Sequence, residues 1–101
     1  MKQDNAHNLI DETIHQRTRL AIMATLAGVE SLDFNELKAQ LALTDGNLST
    51  HLAALERAGY VKIAKTFRAR KPLTTVAQTA KGRTAMGKYV ALLQGILDKA
   101  R

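Results

Sequence analysis

The chain has 101 residues, enough for one domain and too few for two, and its 46% hydrophobic content argues against global disorder. With 4% aromatics and no Trp, the core must be built from Leu, Ile, Val, Met and Ala, and the absence of Cys excludes disulfides, thiolate metal sites and cysteine nucleophiles. The formal net charge is +6 and the pI is near 10.0. No run approaches the ~18 apolar residues of a membrane span, and the opening "MKQDNAHNLIDE" has no apolar signal-peptide core. The expectation is a cytoplasmic protein with no membrane partner.

Residues 1–8 are polar and are expected to form a flexible tail, leaving 9–101 as the single folded domain. A helical pattern starts at Leu9, with Ile10 and Ile14 four apart. A break is expected near His15–Thr18. Leu20, Met23 and Leu26 then follow at three-residue steps, with Ile22 alongside, and Gly28 is the expected stop. Leu32–Phe34 could form a very short strand. Asp33 followed by Glu36 fits a capping box, and Leu37 with Leu41 gives the next, short helix its apolar stripe.

"TDGNLSTHL" opens a third helix, expected over Asp45–Ala58. Thr44 is a good N-cap and Asp45 suits the positive helix end. Leu48, Leu52 and Leu55 form the inward stripe, and Gly59 is the stop. Stepping about 100° per residue, the outward face is Gly46, Thr50, Ala53, Ala54 and Arg57, flanked by Asn47 and Ser49. That face is small or polar almost throughout. A major groove about 12 Å wide accepts a helix, and small outward residues let it sit deep. Asn, Ser and Thr can address base edges or phosphates there, and Gly46 allows close backbone approach. His51, at the edge of the stripe, is expected to pack against the preceding helix rather than reach a phosphate.

"YVKIAKTF" alternates, with Val61, Ile63, Lys65 and Phe67 on one side. "RARKP" is a basic turn, and "LTTVAQT" reads as the returning strand of a β-hairpin. Its tip carries Arg68, Arg70 and Lys71, with Lys65 at the base, and Arg is favoured in a narrow minor groove. The last helix starts from a Thr79 cap. Met86, Tyr89, Val90, Leu93, Ile96 and Leu97 lie at helical spacing, widened by Ala85 and Leu92, while Gly82, Gly87 and Gly95 weaken it by up to ~1 kcal/mol each. The stripe is wider than one core seam needs, so one side can meet a second subunit.

The resulting order is helix, short strand, helix, helix, hairpin, helix: a mainly α chain with a small β-hairpin, a winged helix-turn-helix. Charge distribution agrees. No Asp or Glu lies between Glu56 and Asp98, a gap holding nine Lys and Arg residues, as expected for a polyanionic partner.

The residues "LSTHLAALERAGYV" resemble the recognition-helix signature of winged helix-turn-helix transcriptional regulators of the ArsR/MarR-like kind. The nearest pattern is a small single-domain subgroup with "LDF.EL...L.LTDGNLS.HL..LE.AGYV", a basic wing and "T..GR.A" opening the last helix; here that piece is "TAKGRTA". The likeness covers roughly Ile14 to Leu93. It implies a homodimeric transcription factor on a pseudo-palindromic double-stranded operator. The DNA-binding residues would be Thr44, Asp45, Gly46, Asn47, Ser49, Thr50, His51 and Arg57 on the helix, and Lys65, Arg68, Arg70 and Lys71 on the wing. The dimer would form through the first and last helices, at Ile10, Ile14, Tyr89, Leu92, Leu93 and Ile96. The chain departs from the metal-sensing branch in having no Cys, and no separate ligand-binding domain is visible, so an effector is not identified.

Two other readings carry less. His7, Asp11 and His15 stand at i, i+4 and i+8, a spacing that can bind zinc or nickel, but such sets recur by chance near termini and no metal or other cofactor is expected. Neither a phosphate-binding glycine loop nor a nucleophile motif is present, so no enzyme is expected. The alternative to a DNA-binding regulator is a winged helix used as a protein-interaction or assembly module.

Overall fold

The computed structural model describes residues 6–101. Of the expected tail, residues 1–5 lie outside the described residues, and 6–8 begin a 3-10 helix, Ala6–Leu9. The helices are α1 (Arg17–Ala27), α2 (Phe34–Leu41), α3 (Asp45–Arg57) and α4 (Ala80–Lys99). The strands are β1 (Leu32–Asp33), β2 (Val61–Arg68) and β3 (Lys71–Gln78), joined in one antiparallel sheet of order β1-β3-β2.

Local chemistry sets most of the boundaries. Asp33 and Glu36 form a reciprocal capping box on α2. Thr44 caps α3 by accepting the Asn47 amide at 3.1 Å, and Thr79 caps α4 by accepting the Gly82 amide at 2.9 Å. At the end of α3 the Tyr60 amide donates to Leu55 O and the Gly59 amide to Glu56 O, each at 2.9 Å. With Gly59 at φ 82° this is a Schellman motif, which satisfies the orphan carbonyls and turns the chain into β2.

The first segment departs from the expected pattern. The α-helix does not start near Leu9; residues 12–16 form turns and bends, and α1 begins only at Arg17 behind a Gln16 cap. The cause is Asp11. Its carboxylate accepts the amides of Thr13 (2.9 Å) and Ile14 (3.2 Å), a side-chain-to-backbone pattern that competes with the helical ladder. The fold then holds Ile14 fully buried.

Ile22, Met23 and Leu26 of α1, Leu37 of α2, Leu48, Leu52 and Leu55 of α3, and Val61 and Val76 of the hairpin form one core. Full burial of each large side chain contributes about 1.5–3 kcal/mol. Gln78 is the buried polar group; its Nε2 donates to Met23 O at 3.1 Å, tying β3 to α1. The Cα envelope measures 60 × 24 × 22 Å with a radius of gyration of 15.5 Å, above the ~13 Å of a round 100-residue domain. On α4 only Gly82 and Tyr89 are buried, while Val90 and Leu97 are 53% and 52% exposed. The second half of this helix therefore shows its apolar stripe to the outside.

Candidate nucleic-acid interface

Helix α3 presents the face expected of it. Gly46, Asn47, Ser49, Thr50 and Arg57 are exposed, and the face is completed by half-buried Ala53 and Ala54. Leu48, Leu52 and Leu55 anchor the opposite side, so the small polar face is held rigidly outward. A Cβ built on Gly46 meets nothing within 4 Å, so no packing within the chain requires glycine there.

Three members of the expected set have work inside the chain. The Asp45 carboxylate accepts from Lys38 Nζ at 2.6 Å, an exposed pair joining the end of α2 to the start of α3. Thr44 Oγ1 is occupied by its cap. The third is His51, whose Nδ1 lies 3.2 Å from Arg19 Nη1. Since a guanidinium can only donate, His51 accepts at Nδ1 and is neutral in this pairing. Its partner is thus Arg19 of α1, and not a residue of the preceding helix α2 as its position beside the stripe suggested.

Arg19 carries no motif in the sequence, yet it is a junction. Besides His51 it donates from Nε to Thr13 O and from Nη2 to Glu12 O (3.4 Å), so one side chain ties the N-terminal segment to α3. A second strut runs beside it: Tyr60 donates its hydroxyl to Asp11 Oδ2. That bond, with burial and the Asp11 charge, pushes the Tyr60 phenol up to about 12. Partners 32 and 49 residues apart leave no periodic trace in the chain, so neither pairing is legible in the sequence.

Burial, and after it the Arg19 charge, lowers the pKa of His51 below the usual 6.5. A depressed histidine stabilises the fold above the unfolded-state pKa and loses that contribution as pH falls through the folded one. Thermal unfolding of the wild type from about pH 7 down to pH 5 should therefore show a falling Tm. His51→Gln keeps an acceptor for Arg19 and cannot titrate, so its Tm should fall less over the same interval. Parallel pH profiles would contradict the assignment.

The wing is a hairpin closed by two residues, Ala69 (φ 52°) and Arg70 (φ 70°), both left-handed as a type I′ turn demands. Asn and Gly usually fill such positions; here Arg70 is held in a costly backbone region, with its charge at the tip. Lys65, Arg68, Arg70 and Lys71 are all exposed, and Arg68 faces Lys71 across the strands. A cleft of about 330 Å³ separates wing from α3, lined by Ser49, Ala53 and Glu56 on one side and Ile63, Lys65 and Thr74 on the other.

The expected dimer residues divide. Ile14 is fully buried within its own chain, which corrects its assignment to an intersubunit surface. Tyr89 is 4% exposed and hydrogen-bonded to His15 Nδ1 at 2.8 Å, so it too is taken up by its own fold. Ile10, Leu92, Leu93 and Ile96 are only half-buried and retain free surface. Of the His7, Asp11, His15 set, two members are placed by the structure. Asp11 and His15 serve the hydrogen bonds just described, and the side chain of His7 lies outside the described residues.

A groove of about 660 Å³, which no sequence motif marks, runs between Leu9 and Asp11 on one side and Lys81, Lys88, Tyr89 and Leu92 of α4 on the other. Among the described residues, no helix is long and apolar enough to cross a membrane.

A family model for a winged helix DNA-binding domain matches residues 18–97. An uncharacterized protein of Methanocaldococcus jannaschii is 43% identical over 72 residues, covering 71% of this chain and 78% of that protein. Among solved structures, a transcriptional regulator homologue from Pyrococcus horikoshii OT3 superposes with a TM-score of 0.86 at 30% identity, covering 93% of each chain. The M. tuberculosis transcriptional regulator MOSR, solved in complex with DNA, gives a TM-score of 0.71 at 25% identity, covering 96% of this chain and 67% of that one.

Proposed function

We propose that this chain, a member of the winged helix DNA-binding domain family, is a transcriptional regulator rather than an enzyme and acts in the cytoplasm as a homodimer that recognises a pseudo-palindromic operator. In this reading α3 enters the major groove, with Asn47, Ser49 and Thr50 toward base edges and Gly46 allowing the backbone close. Arg57 and the wing cations Lys65, Arg68, Arg70 and Lys71 meet phosphate or the minor groove. The observation that carries the reading is the combination of a small, exposed face at the start of α3, Gly46, Asn47, Ser49 and Thr50, and a wing whose Lys65, Arg68, Arg70 and Lys71 are exposed with no acid among them. Wide separation of attraction from readout is what sequence-specific binders use: phosphate contacts position and base contacts specify.

A dimer is supported by the apolar surface left on α4. Val90 and Leu97 are exposed, Leu92, Leu93 and Ile96 are half-buried, and Leu9 is 69% exposed at the other wall of the groove. A second copy covering this stripe would bury it, and two-fold symmetry would space two α3 helices roughly 34 Å apart, one turn of DNA. Regulation then follows from occupancy of a promoter.

Base readout by α3 is tested by comparing affinities for a preferred site and for random DNA. Asn47→Ala and Thr50→Ala should each weaken binding to the preferred site by about 1–3 kcal/mol and leave random DNA nearly unchanged. Equal losses on both would assign these residues to phosphate.

A further inference from the structure

The wing carries an aromatic side chain that the fold does not use. The chain has two Phe and two Tyr. Phe34 packs against the core, Tyr60 is bonded to Asp11, and Tyr89 is 4% exposed. Phe67 is 72% exposed.

Its position follows from strand alternation. Val61, Ile63, Lys65 and Phe67 share one face of the hairpin with their cross-strand partners Gln78, Val76, Thr74 and Pro72. At the base that face is core: Val61 and Val76 are buried. Midway it borders the cleft toward α3, where Ile63, Lys65 and Thr74 face Ser49 and Ala53. At the tip the same face ends in the pair Phe67 and Pro72, where Pro72 borders a cleft shared with Phe34 and Asn35 at the start of α2 and Phe67 is left exposed. Phe67 therefore stands on the recognition-helix side of the wing, where a duplex held by α3 would pass.

A lone exposed apolar residue is ordinary. This one sits among Lys65, Arg68, Arg70 and Lys71, all exposed. Four like charges around one ring, with no acid among them, favour a polyanion over the charge-depleted centre of a protein interface. A polyanion with apolar sugar and base faces suits both features together. Pro72 adds rigidity opposite Phe67 and removes a backbone donor from a strand edge, which makes the arm a poor template for pairing with another chain.

We propose that Phe67 is a DNA-contacting residue that inserts from the wing into the minor groove, packing on sugar and base edges as an apolar wedge while the surrounding cations hold the phosphates. This rests on the DNA-binding reading above and adds an apolar interaction that cation placement alone does not supply. Deformable pyrimidine–purine steps at the wing subsite should be preferred, because they open at least cost.

The test is salt-dependent DNA binding of wild type, Phe67→Ala and Phe67→Leu on the preferred site, with 2-aminopurine fluorescence at the wing subsite and sedimentation of each protein without DNA. Phe67→Ala should lose about tenfold in affinity, keep the wild-type salt slope and abolish the fluorescence change, while Phe67→Leu retains most of both. Unfolding midpoints should match, since the side chain is outside the core. Wild-type affinity and fluorescence in Phe67→Ala would overturn the wedge while leaving DNA binding intact. A change in self-association with DNA binding unaltered would assign Phe67 to a second copy and overturn it too. Wild type that fails to bind DNA even at low salt would remove the underlying reading and the wedge with it.

Discussion

Gly82→Ala should destabilise the fold by about 3 kcal/mol or more, lowering Tm by well over ~10 °C. A Cβ at this position would lie 2.2 Å from Tyr60 O and 2.9 Å from Tyr60 C, both backbone atoms. Backbone cannot move aside as a flexible side chain can, and this backbone is pinned. Thr79 N donates to Tyr60 O at 3.0 Å, Thr79 Oγ1 donates to Gly59 O at 2.6 Å, and Gly59 holds the left-handed end of α3. Relieving the clash means moving α4 away from the joint between α3 and the wing. Total stability of such domains is about 5–15 kcal/mol, so a large share would be lost. Gly46→Ala is the internal control. Its Cβ meets nothing within 4 Å, so helix propensity should hold stability or raise it by up to ~1 kcal/mol, with Tm unchanged or higher, while DNA affinity falls as a methyl enters the groove face. Thermal unfolding of the two variants side by side checks the pair. Similar Tm values would mean that α4 and Tyr60 are not as close as the structure has them.

Removing the wing charge should have the largest effect on binding. With Arg68→Ala, Arg70→Ala and Lys71→Ala combined, affinity should drop about 100-fold or more near physiological salt, on preferred and random DNA alike. The slope of log affinity against log salt should flatten by about 0.9 for each phosphate no longer neutralised, or by up to about 5 in a dimer deprived of three cations per subunit. All three side chains are exposed, and Arg68 and Lys71 repel across the hairpin, so the fold should not suffer. Fluorescence anisotropy across a salt series measures both quantities. An unchanged slope would mean that the wing never reaches the phosphates.

What could be read from the sequence was what short-range chemistry decides. The caps Asp33, Thr44 and Thr79 and the stop at Gly59 act within a few residues, and each is where its pattern placed it. The α3 stripe of Leu48, Leu52 and Leu55 is likewise a local periodicity, and it fixes which face looks outward. Non-local pairings were not legible. Ile10 and Ile14 have helical spacing, yet the Asp11 carboxylate takes the amides that a helix needs and Ile14 goes to the interior. Gly82 reads as a weak point in α4; its reason is a backbone 22 residues upstream. Alternation puts Phe67 on the core-facing side of β2, but nothing local says that its ring is left uncovered there. In the site, the α3 face and the wing cations were legible because they are consecutive or periodic. The Arg19–His51 and Asp11–Tyr60 struts that brace them join distant positions and become visible only in the fold.

Selection of bound sequences from a random double-stranded DNA pool tests the central claim most directly. A homodimer with α3 in the major groove should enrich a two-fold-symmetric motif with half-site centres about 10 base pairs apart. Enrichment of a single unpaired half-site would contradict the dimer, and no enrichment above the starting pool would contradict sequence-specific recognition altogether.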